Sequence, residues 1–215
     1  IWFIAILIIF IGFLIRIISI EKISLWVDEI WHVYASFQGH ADFRIERAFS
    51  VYKSSKLTTL IIYLETYFVN YNNIFWLRMP FVLIGTINIA LAFWWGKIQK
   101  SKMFGIIFAW IMTWSPAMIL HSRDIRYYIL MIFFQLVILI LYGLFLKKAK
   151  IRYLFYMIIV AYLAILSGPF YFLVIIPLLI IEYIAKHRHV LDLLAKHKKA
   201  LITIGIGGLF IVFLL

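Results

Sequence analysis

The first twenty residues, IWFIAILIIFIGFLIRIISI (residues 1–20), decide the fold class. A helix rises about 1.5 Å per residue, so about 20 apolar residues cover a hydrocarbon core roughly 30 Å thick. This run fills that length. No small-residue cleavage site precedes Glu21, so the run reads as a retained anchor rather than a secretory signal. The same measure places further spans near residues 77–96, 103–120, 126–146, 152–167, 170–185 and 200–215, seven in all. The expected fold is all-α: a polytopic transmembrane helix bundle forming one domain over residues 1–215, with a long polar external loop at residues 21–76. A start at Ile1 rather than Met, and an end inside the apolar run 209–215, lead us to expect a fragment of a longer chain.

Composition agrees with a bilayer as solvent. Apolar residues make up 66% of the chain and the mean hydropathy is +1.05, far above the balance of soluble domains. The net charge of +12 would suggest a nucleic-acid partner in a soluble protein. Here twelve of the 21 Lys and Arg residues fall in the connections 97–102, 147–152 and 186–199, so topology explains the charge and no nucleic acid is expected. By the positive-inside rule these connections are cytoplasmic. The loop 21–76, the turn 122–126 and the turn at Ser167-Gly168-Pro169 then face outward, and they hold seven of the nine carboxylates. Acid chemistry is therefore expected on the outer side. The absence of cysteine excludes thiolate metal sites and a cysteine nucleophile. Two stretches of the outer loop, 25–37 and 56–71, are too polar or too short to span and read as interfacial helices.

Two polar clusters stand out. The first is Ser24-Leu25-Trp26-Val27-Asp28-Glu29-Ile30-Trp31-His32, where Ser24 is expected to cap a helix and set Asp28 and His32 one turn apart on one face. Its plainer reading is a solvated loop whose acids pair with Lys22 or Arg44. The second is His121-Ser122-Arg123-Asp124-Ile125-Arg126-Tyr127-Tyr128, wedged between two apolar spans. Charges at a membrane boundary face a cavity or one another. Arg123 and Arg126, three apart, are expected to share a helix face near a helix N-terminus, an arrangement suited to a phosphate. The plainer alternative is an Arg–Asp network stapling the third and fourth spans. Together the clusters offer general base catalysis with charge stabilisation: one carboxylate takes the proton of an attacking hydroxyl while arginines or a metal neutralise a departing phosphate.

With these residues in view, the chain resembles the GT-C membrane glycosyltransferases, in the branch of protein O-mannosyltransferases and lipid A aminoarabinose transferases. The resemblance rests on Leu25-Trp26-Val27-Asp28-Glu29 after the first span, Leu77-Arg78-Met79-Pro80 opening the second, and Ser115-Pro116 followed by residues 121–128, in that order over most of residues 1–185. It implies an outer cavity roofed by interfacial helices and a polyprenyl-phosphate-linked sugar donor. It also implies Asp28 as the base and Asp124 as the second acid of the site. The chain departs from the pattern in three places. Ser54-Ser55-Lys56-Leu57-Thr58-Thr59 lacks the proline that relatives often carry before the second interfacial helix, Asp124 stands where they usually have Glu, and no histidine lies near residues 167–171.

The expected function is an inverting, mannosyltransferase-like glycosyl transfer in the cell envelope. Sugar would pass from the donor to a protein, lipid or polysaccharide acceptor, at the non-cytoplasmic face of a multi-pass plasma-membrane protein. Asp28 would deprotonate the acceptor, with Glu29 orienting it or holding an ion. Arg123 and Arg126, helped by Lys53 or Lys56, would bind the donor phosphate. A divalent metal, if used, would draw on His32 with Asp28 and Asp124. The rival readings are a transporter or flippase for a lipid-linked anion, and an inactive scaffold subunit that keeps the fold. Charges at span ends and the lack of a repeat weigh against transport.

Overall fold

A computed structural model describes residues 1–42, 44–51 and 55–168. The chain runs through α1 (Trp2–Ile17), a single 3-10 turn (Ile20–Lys22), α2 (Val27–Ala41), α3 (Ile45–Val51), α4 (Lys56–Glu65), α5 (Ile74–Gln99), α6 (Lys102–Trp114), α7 (Pro116–Arg123), α8 (Tyr128–Lys148) and α9 (Arg152–Ser167). All regular structure among the described residues is helical. Among the described residues three helices are long and apolar enough to cross a membrane: Trp2–Lys22, Ile74–Gln99 and Tyr128–Lys148. Counting α6 and α7 as one bent span makes four, and α9 is apolar but shorter. The expected spans at 170–185 and 200–215, the basic stretch 186–199 and Lys53 lie outside the described residues.

The long helix α5 is the axis of the bundle and packs against α1, α6, α7 and α8. On one side Leu77 and Phe81 of α5 meet Ile129, Leu130 and Phe134 of α8, with Ile62 of α4 and Ala164 of α9 closing the cluster. On the other, Ala5 and Ile8 of α1 meet Ile89 and Phe93 of α5 and Ala109 of α6. Between apolar helices in hydrocarbon no hydrophobic force acts, so small residues that permit close backbone approach replace it. Gly96 and Gly105 serve this at the α5–α6 crossing, where a Cβ on Gly105 would sit 2.4 Å from the Phe93 carbonyl oxygen.

The bundle has two chemically distinct ends. Lys147 Nζ donates to the Ile98 carbonyl, which brings the basic connections 97–102 and 147–152 together at one end. At the other, Arg123 donates to the Ile18 and Ser19 carbonyls at the close of α1, and Ser55 Oγ donates to the Ser167 carbonyl at the close of α9. The polar loop and the turn 124–126 therefore share an end.

The expected single span at 103–120 is instead broken at Ser115–Pro116, with α6 and α7 meeting at 61°. The cause is local. Pro116 has no N–H to give the Met112 carbonyl four residues before it. Arg16, fully buried in the last turn of α1, fills that vacancy: its Nη2 donates to the Met112 oxygen at 2.9 Å and its Nη1 to Gly12 at 2.9 Å.

Helices form in both stretches expected to be interfacial: α2 (Val27–Ala41) covers most of 25–37 and α4 (Lys56–Glu65) the first part of 56–71, with α3 an additional short helix between them. The surface pattern of α2 is inverted relative to a soluble helix. In α2, Val27, Ile30, Trp31, Tyr34 and Phe37 are exposed, whereas Glu29, His32 and Ser36 are buried. An exposed apolar stripe opposite a buried polar one suits a helix lying in the headgroup region.

Candidate functional site

The site is assembled around Glu29. The expected Ser24 cap is not formed; α2 begins at Val27, and the Trp26 N–H donates to the Glu29 carboxylate at 2.8 Å. Glu29 is fully buried and would be costly there without compensation. Compensation comes from Arg78, buried near the start of α5, whose Nη2 and Nε donate to the two carboxylate oxygens at 2.7 and 3.0 Å. The Ile125 N–H supplies a fourth donor at 2.8 Å. Each Glu29 oxygen thus accepts two hydrogen bonds, and Arg78 spends its remaining donors on the carbonyls of Ile20, Ile23 and Ser24. One ion pair fastens four segments: the turn after α1, the first turn of α2, α5 and the turn 124–126. Glu29 acts here as a positioning residue, its lone pairs fully engaged.

Sequence reasoning quoted Arg78 only as part of a motif and gave it no role. The signal was available, because a charged side chain at the edge of an apolar span calls for a partner.

Asp28, one residue from the clamp, points the other way. It is half exposed, and its carboxylate pairs with Arg126 Nη2 at 2.8 Å. The structure thus joins the first cluster to the second through this contact. Arg123 and Arg126 do not share a helix face: Arg123 ends α7 and reaches the end of α1, while Arg126 lies in the turn before α8 and reaches Asp28. The Nε atoms of both arginines are buried without a hydrogen-bond partner. A phosphate approaching Arg126 would meet its planar donor fork only partly occupied.

Asp124 lies beneath this pair, nearly buried. Desolvation holds its carboxyl above the usual range, the charge of Glu29 adds to the effect, and Arg78, Arg126 and Arg123 oppose it. His121 and Tyr128 pack ring on ring beside it in sequence, with Tyr127 against Tyr128.

His32 is buried one turn beyond Asp28, and its Nδ1 shares a hydrogen bond with Thr59 Oγ1 at 3.0 Å. Burial, and then the positive charge of Arg126, push its pKa down to about 3, so the ring is neutral. Thr59 and Thr58 are both buried, and Ser55 Oγ bonds Thr58 and the end of α9. Lys56, which opens α4, is exposed and forms no ion pair among the described residues. Among those residues no three His, Asp or Glu side chains gather closely enough to hold a metal ion, so the expected combination of His32, Asp28 and Asp124 does not form one.

The arrangement offers a reachable carboxylate paired with a cation, set on a rigid buried clamp, with an acid of raised pKa below. Comparison of the chain with protein families, characterised proteins and solved structures finds no match.

Proposed function

We propose that this protein is a membrane glycosyltransferase of the GT-C type, taking sugar from a polyprenyl-phosphate donor to a hydroxyl or amine acceptor on the non-cytoplasmic side. In this reading the helices cross the membrane with the connections 97–102 and 147–152 inside, and the apolar runs of the sequence at 170–185 and 200–215 complete the expected count of seven. The observation that carries it is the Asp28–Arg126 pair, a half-exposed carboxylate and a guanidinium 2.8 Å apart.

Donor binding would draw Arg126 from the Asp28 carboxylate to the phosphate. Asp28 then accepts the acceptor's O–H or N–H proton as its oxygen or nitrogen bonds the anomeric carbon. The bond from that carbon to the phosphate oxygen breaks with inversion, and Arg126, with Arg123 beside it, stabilises the polyprenyl phosphate that leaves. Burial and the charge of Glu29 hold the Asp124 carboxyl above its usual range, against the opposing pull of Arg78, Arg126 and Arg123.

Asp28→Asn keeps the shape and removes the base. Transfer from a polyprenyl-phosphate sugar should fall by at least about 100-fold. Thermal stability should change by less than about 1 kcal/mol, because a half-exposed pair contributes little. Full transfer activity in a folded Asp28→Asn protein would overturn the assignment.

A further inference from the structure

A second concave feature lies at the opposite end of the bundle. Ala5, Ile6 and Ile9 of α1 face Ala90, Phe93 and Trp94 of α5 across a groove of about 460 Å3, with Trp2 and Lys97 at its mouth. The spacing explains it. Positions 2, 5, 6 and 9 form one stripe of α1, and positions 90, 93, 94 and 97 one stripe of α5. Small side chains at Ala5 and Ala90 leave the gap that Trp2 and Trp94 flank. The groove opens sideways, since Trp2, Ile6 and Trp94 remain about half exposed.

The mouth is cationic. Lys97 Nζ lies 4.7 Å above the Trp2 ring and Lys102 Nζ 6.0 Å from it, so two ammonium groups converge on one indole. Neither lysine has a carboxylate partner among the described residues; the three ion pairs found there, Arg47–Asp42, Arg78–Glu29 and Arg126–Asp28, all involve the acidic end. An apolar slot running along two membrane-length helices and ending at lysines with no carboxylate partner among the described residues matches one chemistry, an acyl chain with an anionic headgroup.

We propose that this groove binds an anionic phospholipid of the leaflet on the basic side, its chain between α1 and α5 and its phosphate at Lys97 and Lys102. The site depends on the bundle crossing a membrane but not on the transfer chemistry at the other end. Basic pockets between spans on the cytoplasmic side are the expected locus for such headgroups.

The test uses the full chain in detergent micelles, titrated with phosphatidylglycerol or phosphatidylcholine and read by native mass spectrometry. Phosphatidylglycerol should bind more tightly. Lys97→Gln with Lys102→Gln should weaken it by roughly 10- to 30-fold while leaving phosphatidylcholine unchanged, since each lysine near a headgroup contributes about fivefold. Ala90→Phe, which fills the groove, should weaken both lipids. Equal affinity for the two lipids in the native protein, or a preference that survives loss of both lysines, overturns the proposal. The rim lysines are exposed or half-exposed, so the double variant folds even where Ala90→Phe does not. Transfer activity is read alongside: its absence with lipid selectivity intact would count against the proposed function and not against this site.

Discussion

Replacing Glu29 by Gln tests whether the buried clamp is what builds the outer site. The native carboxylate accepts four hydrogen bonds, two from Arg78 and two from the Trp26 and Ile125 backbone N–H groups. A carboxamide has one acceptor oxygen and turns an NH2 toward donors, so at least two of the four contacts are lost and Arg78 keeps a buried charge with only carbonyl partners. Breaking one side of a buried ion pair costs about 3–5 kcal/mol. The surviving Ile20, Ile23 and Ser24 carbonyls place Glu29→Gln near the lower figure. On the scaling of soluble domains this size, about 3 kcal/mol lowers the melting temperature by roughly 6–12 °C. The measurement is the thermal transition of the purified protein in nanodiscs, for Glu29→Gln, Arg78→Met and the double variant. Once one partner is gone the other is a liability, so the double variant should be more stable than the sum of the singles predicts, by about 2 kcal/mol or more. Additive losses, or a Glu29→Gln protein as stable as the native one, would refute the clamp. Asp28→Asn serves as the contrast, losing transfer with little loss of stability.

Two further outcomes follow from buried groups. His32 stays neutral down to about pH 3 in the folded protein, whereas the unfolded chain takes up its proton near 6.5; the unfolded state therefore binds more protons in between, and stability is lost as pH falls through that window. The loss should reach roughly 3–5 kcal/mol and be largely absent in His32→Gln, so an unchanged acid slope in that variant would sink the explanation. Arg16→Met should cost about 1.5–3 kcal/mol by stripping the donors from the Met112 and Gly12 carbonyls. In a Pro116→Ala background, where a backbone N–H can return to Met112, the cost should fall by about half; equal costs in both backgrounds would show that Arg16 does not compensate the proline.

Hydrophobic length located the helices well, because it reports a property each segment carries by itself. Spans expected at 77–96 and 126–146 appear as Ile74–Gln99 and Tyr128–Lys148, the difference being turns of helix that extend into polar surroundings. Long-range partners are invisible to that measure. Pro116 itself marks the break, but its compensation by Arg16, about a hundred residues earlier, leaves no local signal, and Arg123 and Arg126 diverge because the chain turns at 124–126 and each finds a different partner. The dipeptide Asp28-Glu29 is the sharper case. Adjacent acids on a helix point about 100° apart, so one of them had to be the inner residue, and composition does not say which. Soluble-protein habit would turn Val27, Ile30 and Trp31 inward and leave both acids in water. In a helix lying against lipid that habit reverses, and the apolar stripe faces out. Reading it so puts Glu29, with His32 and Ser36, on the buried face and leaves Asp28 at the border, where its carboxylate is half exposed and paired with Arg126.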